Sequence, residues 1–319
     1  MNRYLVRRLL IAIPTLLIMS AVIYAILALA PGDPLSQFAL NPAVPAEVRE
    51  RLRHAMGLDD PWYVRYFKWL TAMLQGDFGW SFASHVPVID LIKQRLPNTL
   101  AVLGIAYIVS ILIAIPIGIL SAVKRYTWFD HIATTFAFVG YSIPTFFAGI
   151  VLIIVFAIKL RWLPFIYDST LQVHDLDTLG MQLKQSIMPI TVLALFETAT
   201  LTRFVRSEML ENLSLDYVRT ARSKGLTEPT VITKHALRNS LIPVVTLIAL
   251  GVPTIFTGAI ITEQIFAVPG IGQLLISSIE INDLPVIMGI TFIYAILVVI
   301  FNLIADLLYA VLDPRIKYT

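Results

Sequence analysis

The chain has 319 residues, of which 57% are hydrophobic and only 14% charged, and its mean hydropathy is +0.79. A soluble domain needs more charge than that to cover its surface, so the composition excludes an ordinary water-soluble globule and places the chain in the membrane class. Cysteine is absent, which excludes disulfides, thiol catalysis and Cys-ligated metals, and the net charge of +3 matters less for nucleic acid than for which loops carry it.

At about 20 apolar residues per crossing, the length suits about six spans plus loops. Six apolar segments are predicted as transmembrane helices, at about 9–30, 98–122, 132–158, 186–206, 241–263 and 286–310. Each must satisfy its backbone internally, so the fold class is an all-α integral membrane protein forming a single transmembrane domain over 1–319. Pro14, Pro116, Pro144, Pro189 and Pro253 interrupt these segments, which membrane helices tolerate where neighbouring groups re-satisfy the backbone. Gly104, Gly118, Gly140, Gly149, Gly251 and Gly258 suit close helix contacts.

The first segment imitates a cleavable leader, with Arg7-Arg8, an apolar run and Ala28-Leu29-Ala30. The run is longer than a leader core, so it is read as a span. The loop that follows, 31–97, is predicted to hold a short polar helix from Pro45 to Met56 stopped at Gly57. Trp62, Tyr63, Tyr66, Phe67, Trp69 and Trp80 come after it, and aromatics near a span end sit at the lipid–water interface. A second such loop, about 159–185, carries Asp168, His174, Asp175 and Asp177. Their spacing does not make a closed metal site, so a solvated loop is expected.

Lys and Arg set the orientation. With the N-terminus inside, 14 of the 24 fall on the inner side, among them Arg3, Arg7, Arg8, Lys124, Arg125, Arg203 and Arg206. The second outer loop holds three and the third none, while the remaining seven lie in a loop too long to vote. Both termini are therefore expected in the cytoplasm.

The most informative stretch is the inner loop at about 207–240, before Pro243 opens the fifth span. Asp216 to Lys224 is helical in pattern and Gly225 is a natural stop. Thr227 can cap a second helix, with Pro229 in its first turn. A helix–Gly–helix knob of this kind can seat in a groove of a soluble partner and pass rigid-body motion to the spans. Charge alone is equally compatible with a loop that merely sets topology.

The residue pattern adds to this. Asp216-Tyr217-x-Arg219-Thr220-Ala221-Arg222-x-Lys224-Gly225-Leu226, followed by His235-Ala236-Leu237-Arg238-Asn239 and Pro243, resembles the cytoplasmic "EAA" loop of ABC importer inner-membrane permeases, in its peptide/nickel variant. That variant has Arg219-Thr220-Ala221 in place of Glu-Ala-Ala and a longer gap to its Leu-Pro. The resemblance extends along the chain through Pro31-Gly32-Asp33-Pro34, Met56-Gly57-Leu58-Asp59-x-Pro61, Gly76-Asp77-Phe78-Gly79 and Gly140-Tyr141-Ser142-Ile143-Pro144. It continues through Thr262-Glu263 with Phe266, Pro269-Gly270-Ile271-Gly272, Asp306-Leu307-Leu308-Tyr309 and Asp313-Pro314-Arg315.

The long first outer loop is similar to that of the first of two permease subunits. The resemblance implies a coupling surface of Asp216, Tyr217, Arg219, Ala221, Lys224, Gly225, His235, Arg238 and Asn239. It also implies two cytoplasmic ATPase subunits, a second homologous permease, an extracytoplasmic substrate-binding protein, and a peptide as substrate. Nickel chelates, glutathione and oligosaccharides are the alternatives within the class. No cofactor, metal or nucleic acid is expected, and the absence of G-x-x-x-x-G-K-[ST] leaves ATP hydrolysis to partners.

Three acids lie within predicted spans: Glu197, Glu263 and Asp306. A charge in lipid is costly, so each is a functional candidate. Glu263 and Asp306 lie near span ends, where pairing or hydration accounts for them, which leaves Glu197 as the pathway candidate. A self-sufficient secondary transporter would need an internal repeat, and a membrane hydrolase a nucleophile with its base or a metal motif. The sequence displays neither.

Overall fold

The computed structural model describes residues 2–29, 45–55, 59–171 and 173–312. The Pro31–Pro34 and Asp313–Arg315 motifs and Gly57 lie outside the described residues. The described chain is built of helices, and its one β-type pairing is the isolated bridge Trp80–Pro87. In order these are α1 (Asn2–Leu29), α2 (Ala46–Ala55), α3 (Trp62–Leu74), α4 (Val88–Val123), α5 (Trp128–Ser142) and α6 (Thr145–Leu152). A π-helical turn, Ile153–Lys159, extends α6. Then come α7 (Leu176–Ser214), α8 (Asp216–Ser223) and α9 (Glu228–Thr230). The wide turn Val231–Ala236 leads from α9 into α10 (Leu237–Phe266), followed by α11 (Ile271–Glu280) and α12 (Leu284–Leu312).

Among the described residues, five helices are long and apolar enough to cross a bilayer: residues 7–28, 88–123, 176–214, 228–252 and 284–304. Two further apolar helix pairs, 128–142 with 145–159 and 259–266 with 271–280, are bent by 102° and 81°. Counting each bent pair as a crossing gives up to seven. The first bend falls inside the segment predicted as one span at 132–158, at Pro144, one of the prolines noted as interrupting the spans. Its cause is local: Pro144 disfavours the helical conformation for the residue before it, and Ile143 is extended at φ −83°, ψ 122°. At the second, Ala267 ends α10 in the left-handed conformation, φ 52°. Pro14 and Pro189 by contrast sit inside unbroken helices. So does Pro243, which does not open α10 but lies within its second turn.

The chain divides into two compact units. One comprises Asn2–Pro97 and Gln273–Ile300. Here α3 buries Tyr66, Leu70 and Met73, an i, i+4, i+7 face that places one stripe inward. Tyr66 meets Tyr24 edge-on at 5.6 Å, and its hydroxyl lies 2.9 Å from that of Ser20 on α1. Trp69 reaches Phe292 of α12 at 5.5 Å. The aromatic cluster therefore splits: Tyr66 and Trp69 face the packing, while Trp62, Tyr63, Phe67 and Trp80 are 52–62% exposed.

The turn before α12 is closed by Asp283, which is 1% exposed. Its carboxylate accepts the Ser81 hydroxyl at 2.5 Å and the amides of Phe82 and Ala83 at 3.1 and 3.3 Å.

The other unit comprises Asn98–Gly272 and Phe301–Thr319. The 39-residue α7 is its spine, with α5 and α10 packed along it. Close approach depends on small residues: a Cβ on Gly118 of α4 would meet Val205 of α7 at 2.7 Å. The residues where α4 ends, α5 begins, α7 ends and α10 begins form one end of this unit, called the foot below. Toward the far end of α10, Glu263 is 2% exposed and accepts the Thr99 hydroxyl at 2.6 Å. Thr99 in turn accepts the Ile271 amide at 2.8 Å. A buried carboxylate at the start of α11 suits the unpaired amides there.

Replacing Asp283 by Ala strands a buried hydroxyl and two amides. The expected cost is about 2–3 kcal/mol, read as a lower apparent melting temperature of the purified protein. An unchanged melting temperature would count against this closure.

Candidate functional site

At the foot, α7 ends at Ser214 and α8 begins two residues later. Leu215 between them is extended at φ −75°, ψ 153°, so the chain turns before Asp216 starts the new helix with its negative charge at the favourable end. Val218 and Ala221 are three apart and share one face of α8, where they are 0% and 5% exposed. They sit in an apolar cluster with Ala122 of α4, Val205 and Met209 of α7, Val231, Ala236, and Val244 of α10. Ser240 fastens the start of α10 to α7, its hydroxyl reaching the Glu208 carbonyl at 3.2 Å. An eight-residue helix could not hold its shape alone in water, and this cluster holds it.

The opposite face of α8 is polar and open. Asp216 and Arg219 side chains are 91% and 75% exposed and only loosely paired, at 3.4 Å. Tyr217 is exposed and donates its hydroxyl to Asn212 at 2.7 Å. Lys224, Arg238 and Asn239 are exposed, and His235 is half-buried. The helix stops at Gly225, whose φ of +76° lies in the left-handed region, where a side chain is penalised. Across that turn the Arg222 guanidinium grips Glu228 with both arms, at 2.6 and 3.1 Å, a fork that fixes α9 relative to α8. Thr227 precedes α9 as predicted, yet its hydroxyl pairs with that of Thr230 at 2.9 Å instead of capping an amide.

Of the residues singled out in this loop, Asp216, Tyr217, Arg219, Lys224, Arg238 and Asn239 are exposed. Ala221 is not: it lies underneath, and its small side chain lets α8 lie flat on the cluster. Sequence reasoning passed over Leu215 and met Leu226 only as part of the motif; they expose 43% and 41% of their surface beside the charges. It passed over Val218 and Val231 and met Ala236 only within the motif, although Val218 and Ala221, apolar residues three apart on a polar helix, were a readable signal. Also missed was Asp130, 2% exposed, which forms an ion pair with Arg206 at 2.6 Å at this same foot.

Glu197 lies in the middle of α7, half-buried, and makes no hydrogen bond or ion pair with the described residues. Among the described residues no three metal-ligating side chains gather. In the 159–185 loop the acids are used locally. Thr170 hydrogen bonds hold Asp168 below the usual carboxylate range, and the Thr178 amide does the same for Asp175, which caps α7.

These features, long apolar helices and a polar knob seated on their common end, have a counterpart among known proteins. Residues 114–318 match the family described as binding-protein-dependent transport system inner membrane component, and residues 1–103 match its N-terminal companion. The chain belongs to this family. It is a multi-pass inner-membrane protein, a permease subunit of an ABC importer.

The oligopeptide transport system permease protein AppB of Bacillus subtilis (strain 168) is 44% identical over 322 residues, covering all of both chains. The glutathione transport system permease protein GsiC of Escherichia coli O1:K1 / APEC is 37% identical over 318 residues, again end to end. Among solved structures, an amino acid ABC transporter crystallised with histidines superposes with a TM-score of 0.53. It covers 69% of this permease and 94% of its own chain at 16% identity, a likeness of fold alone.

A Cβ at Gly225 would meet nothing within 4 Å, so substitution there is felt through the backbone only. Gly225→Ala is expected to destabilise the knob by about 1 kcal/mol or more. Gly225→Asn should cost less, because Asn tolerates the left-handed region, and Gly225→Val should cost most. Hydrogen exchange of the α8 amides reads this order; equal protection in all three would show that the turn does not need Gly.

Proposed function

We propose that this permease forms half of a translocation pathway for peptides and takes its driving force from ATPase subunits docked on the α8 knob. The observation that carries the reading is the two-faced build of α8. Val218 and Ala221 root it in the same apolar cluster as α4, α7 and α10, while Asp216, Arg219 and Lys224 are exposed and Tyr217, bonded to Asn212, lies at their edge. A partner that gripped the open face would move the rooted face with it, and so the spans. Tyr217 and Leu226 offer apolar contact, and Arg219, Lys224 and Arg238 offer charge to an acidic rim on the partner. The inner-side excess of Lys and Arg puts the foot in the cytoplasm, where ATPase subunits would be.

The complete importer would then hold this chain, a second homologous permease, two cytoplasmic ATPase subunits and an extracytoplasmic binding protein. ATP binding closes the ATPase pair and pulls the knobs together; the spans open outward and take substrate from the binding protein. Hydrolysis resets them inward. A peptide cargo is supported by relatives named for oligopeptides and for glutathione, itself a tripeptide. Spans that are mostly apolar, without a dense charged site, suit a permissive conduit better than a site for a naked metal ion.

The test is purification of the tagged chain in mild detergent, with mass spectrometry of what accompanies it. Two ATPase subunits and a second permease are expected. A chain that purifies alone, and transports when reconstituted alone, would sink the reading. Replacing Tyr217 and Arg219 together by Ala should strip the ATPase subunits while the two permeases stay paired. Glu197→Gln should lower peptide uptake with the complex intact; uptake equal to wild type would make Glu197 a packing residue.

A further inference from the structure

One buried ion pair at the foot has no part in the docking surface described above. Asp130, in the first turn of α5, is 2% exposed, and its carboxylate is gripped by both arms of Arg206 on α7, Nε at 2.6 Å and Nη2 at 2.8 Å. The same carboxylate accepts the Ser121 hydroxyl from the end of α4, the Tyr126 amide at 2.9 Å from the connecting turn, and the Thr134 hydroxyl at 3.3 Å. One carboxylate thus ties together three helices and the turn between two of them. Tyr126 adopts φ 63° to aim its amide there.

This pin sits directly on the apolar root of the knob. Ala122, next to Ser121, and Val205, next to Arg206, belong to the cluster that buries Val218 and Ala221 of α8. One turn before Ser121, Gly118 allows α4 to touch α7, where a Cβ would meet Val205 at 2.7 Å and the Thr202 carbonyl at 3.0 Å. From Arg206, α7 runs on to Ser214, about 12 Å of helix, before α8 begins.

The apolar cluster alone would let helices slide on one another, since such contacts are non-directional. A bidentate Arg–carboxylate fork fixes both distance and rotation. Shearing it would leave a buried carboxylate unpaired, which is costly. We propose that Asp130 and Arg206 form the pin that makes the feet of α4, α5 and α7 move as one body with the α8 knob, so that a pull on the knob reaches the spans instead of being lost in local bending. Both are positioning residues, and the proposal rests on the docking role of the knob.

The test uses the full importer reconstituted in proteoliposomes. The chain has no cysteine, so spin labels can be placed at Trp128→Cys and Ser214→Cys, both exposed and outside the docking residues. With the native pin, one narrow label distance is expected that ATP binding leaves unchanged. In Asp130→Asn and in Arg206→Lys, ATPase subunits should still co-purify, the distance distribution should broaden or shift with ATP, and peptide imported per ATP hydrolysed should fall about fivefold or more, the lower end of ordinary coupling between sites.

Should a single variant fail to accumulate, Asp130→Asn combined with Arg206→Gln, which leaves no buried charge unpaired, replaces it. Failure of that pair too would make these residues folding determinants only and overturn the proposal. Wild-type import per ATP in the variants overturns it, and so does a native-pin label distance that itself changes with ATP. A wild-type chain that retains no ATPase subunit overturns the docking reading, and the transmission argument with it.

Discussion

In a hydrocarbon layer a peptide N–H has only its own chain to bond, and every departure from helix inside the layer leaves a polar group to be satisfied at a cost of several kcal/mol. This requirement accounts for the run of long helices, and it makes the two sharp bends the places where the chain had to compensate. At the first, Pro144 has no amide to lose and its carbonyl accepts the Ala148 amide at 3.0 Å. At the second, Glu263 and Thr99 take up the start of α11, with Thr99 accepting the Ile271 amide. The carboxylate is affordable there because it is hydrogen-bonded and faces the positive end of a helix.

The same logic operates at the foot, where apolar spans give way to a polar knob. The transition is made around Met209 by small and β-branched residues, Ala122, Val205, Val218, Ala221, Val231, Ala236 and Val244. Gly118 lets α4 and α7 nearly touch. Two polar sets brace this region, the Asp130 carboxylate with its Arg, Ser, Thr and amide partners, and Arg222 with Glu228. The second pair is half exposed, so its fork contributes geometry more than energy. In the first the carboxylate is buried and the guanidinium about a quarter exposed, so losing the Arg would leave a buried carboxylate short of its main partner.

The foot of this permease is where its long helices meet the knob. The knob has an open face and a rooted face, and the rooted face shares its apolar cluster with three of the long helices. Glu197 is the counterpart within the spans: a carboxylate without a partner among the described residues, in a helix whose ends are fixed by the Asp175 cap and by the foot.

The sequence by itself determined the class, the helices and the loop. Composition alone excluded a soluble globule, apolar runs located the long helices, and the Asp216–Gly225 pattern marked a helix that stops at a left-handed residue. These are local properties, set by the dihedral freedom of Gly and by the solvent each segment prefers. Tertiary structure decided the rest. The predicted span at 132–158 is a bent pair at Pro144, where Ile143 is extended, whereas Pro189 and Pro243, with the same chemistry, leave their helices whole, a difference the sequence does not show. Ala221 reads in sequence like a contact residue, but the neighbours of α8 put it in the core. Asp130 and Arg206 are 76 residues apart, and no periodicity joins them; only the approach of α4, α5 and α7 brings that charge pair together and makes burying it tolerable.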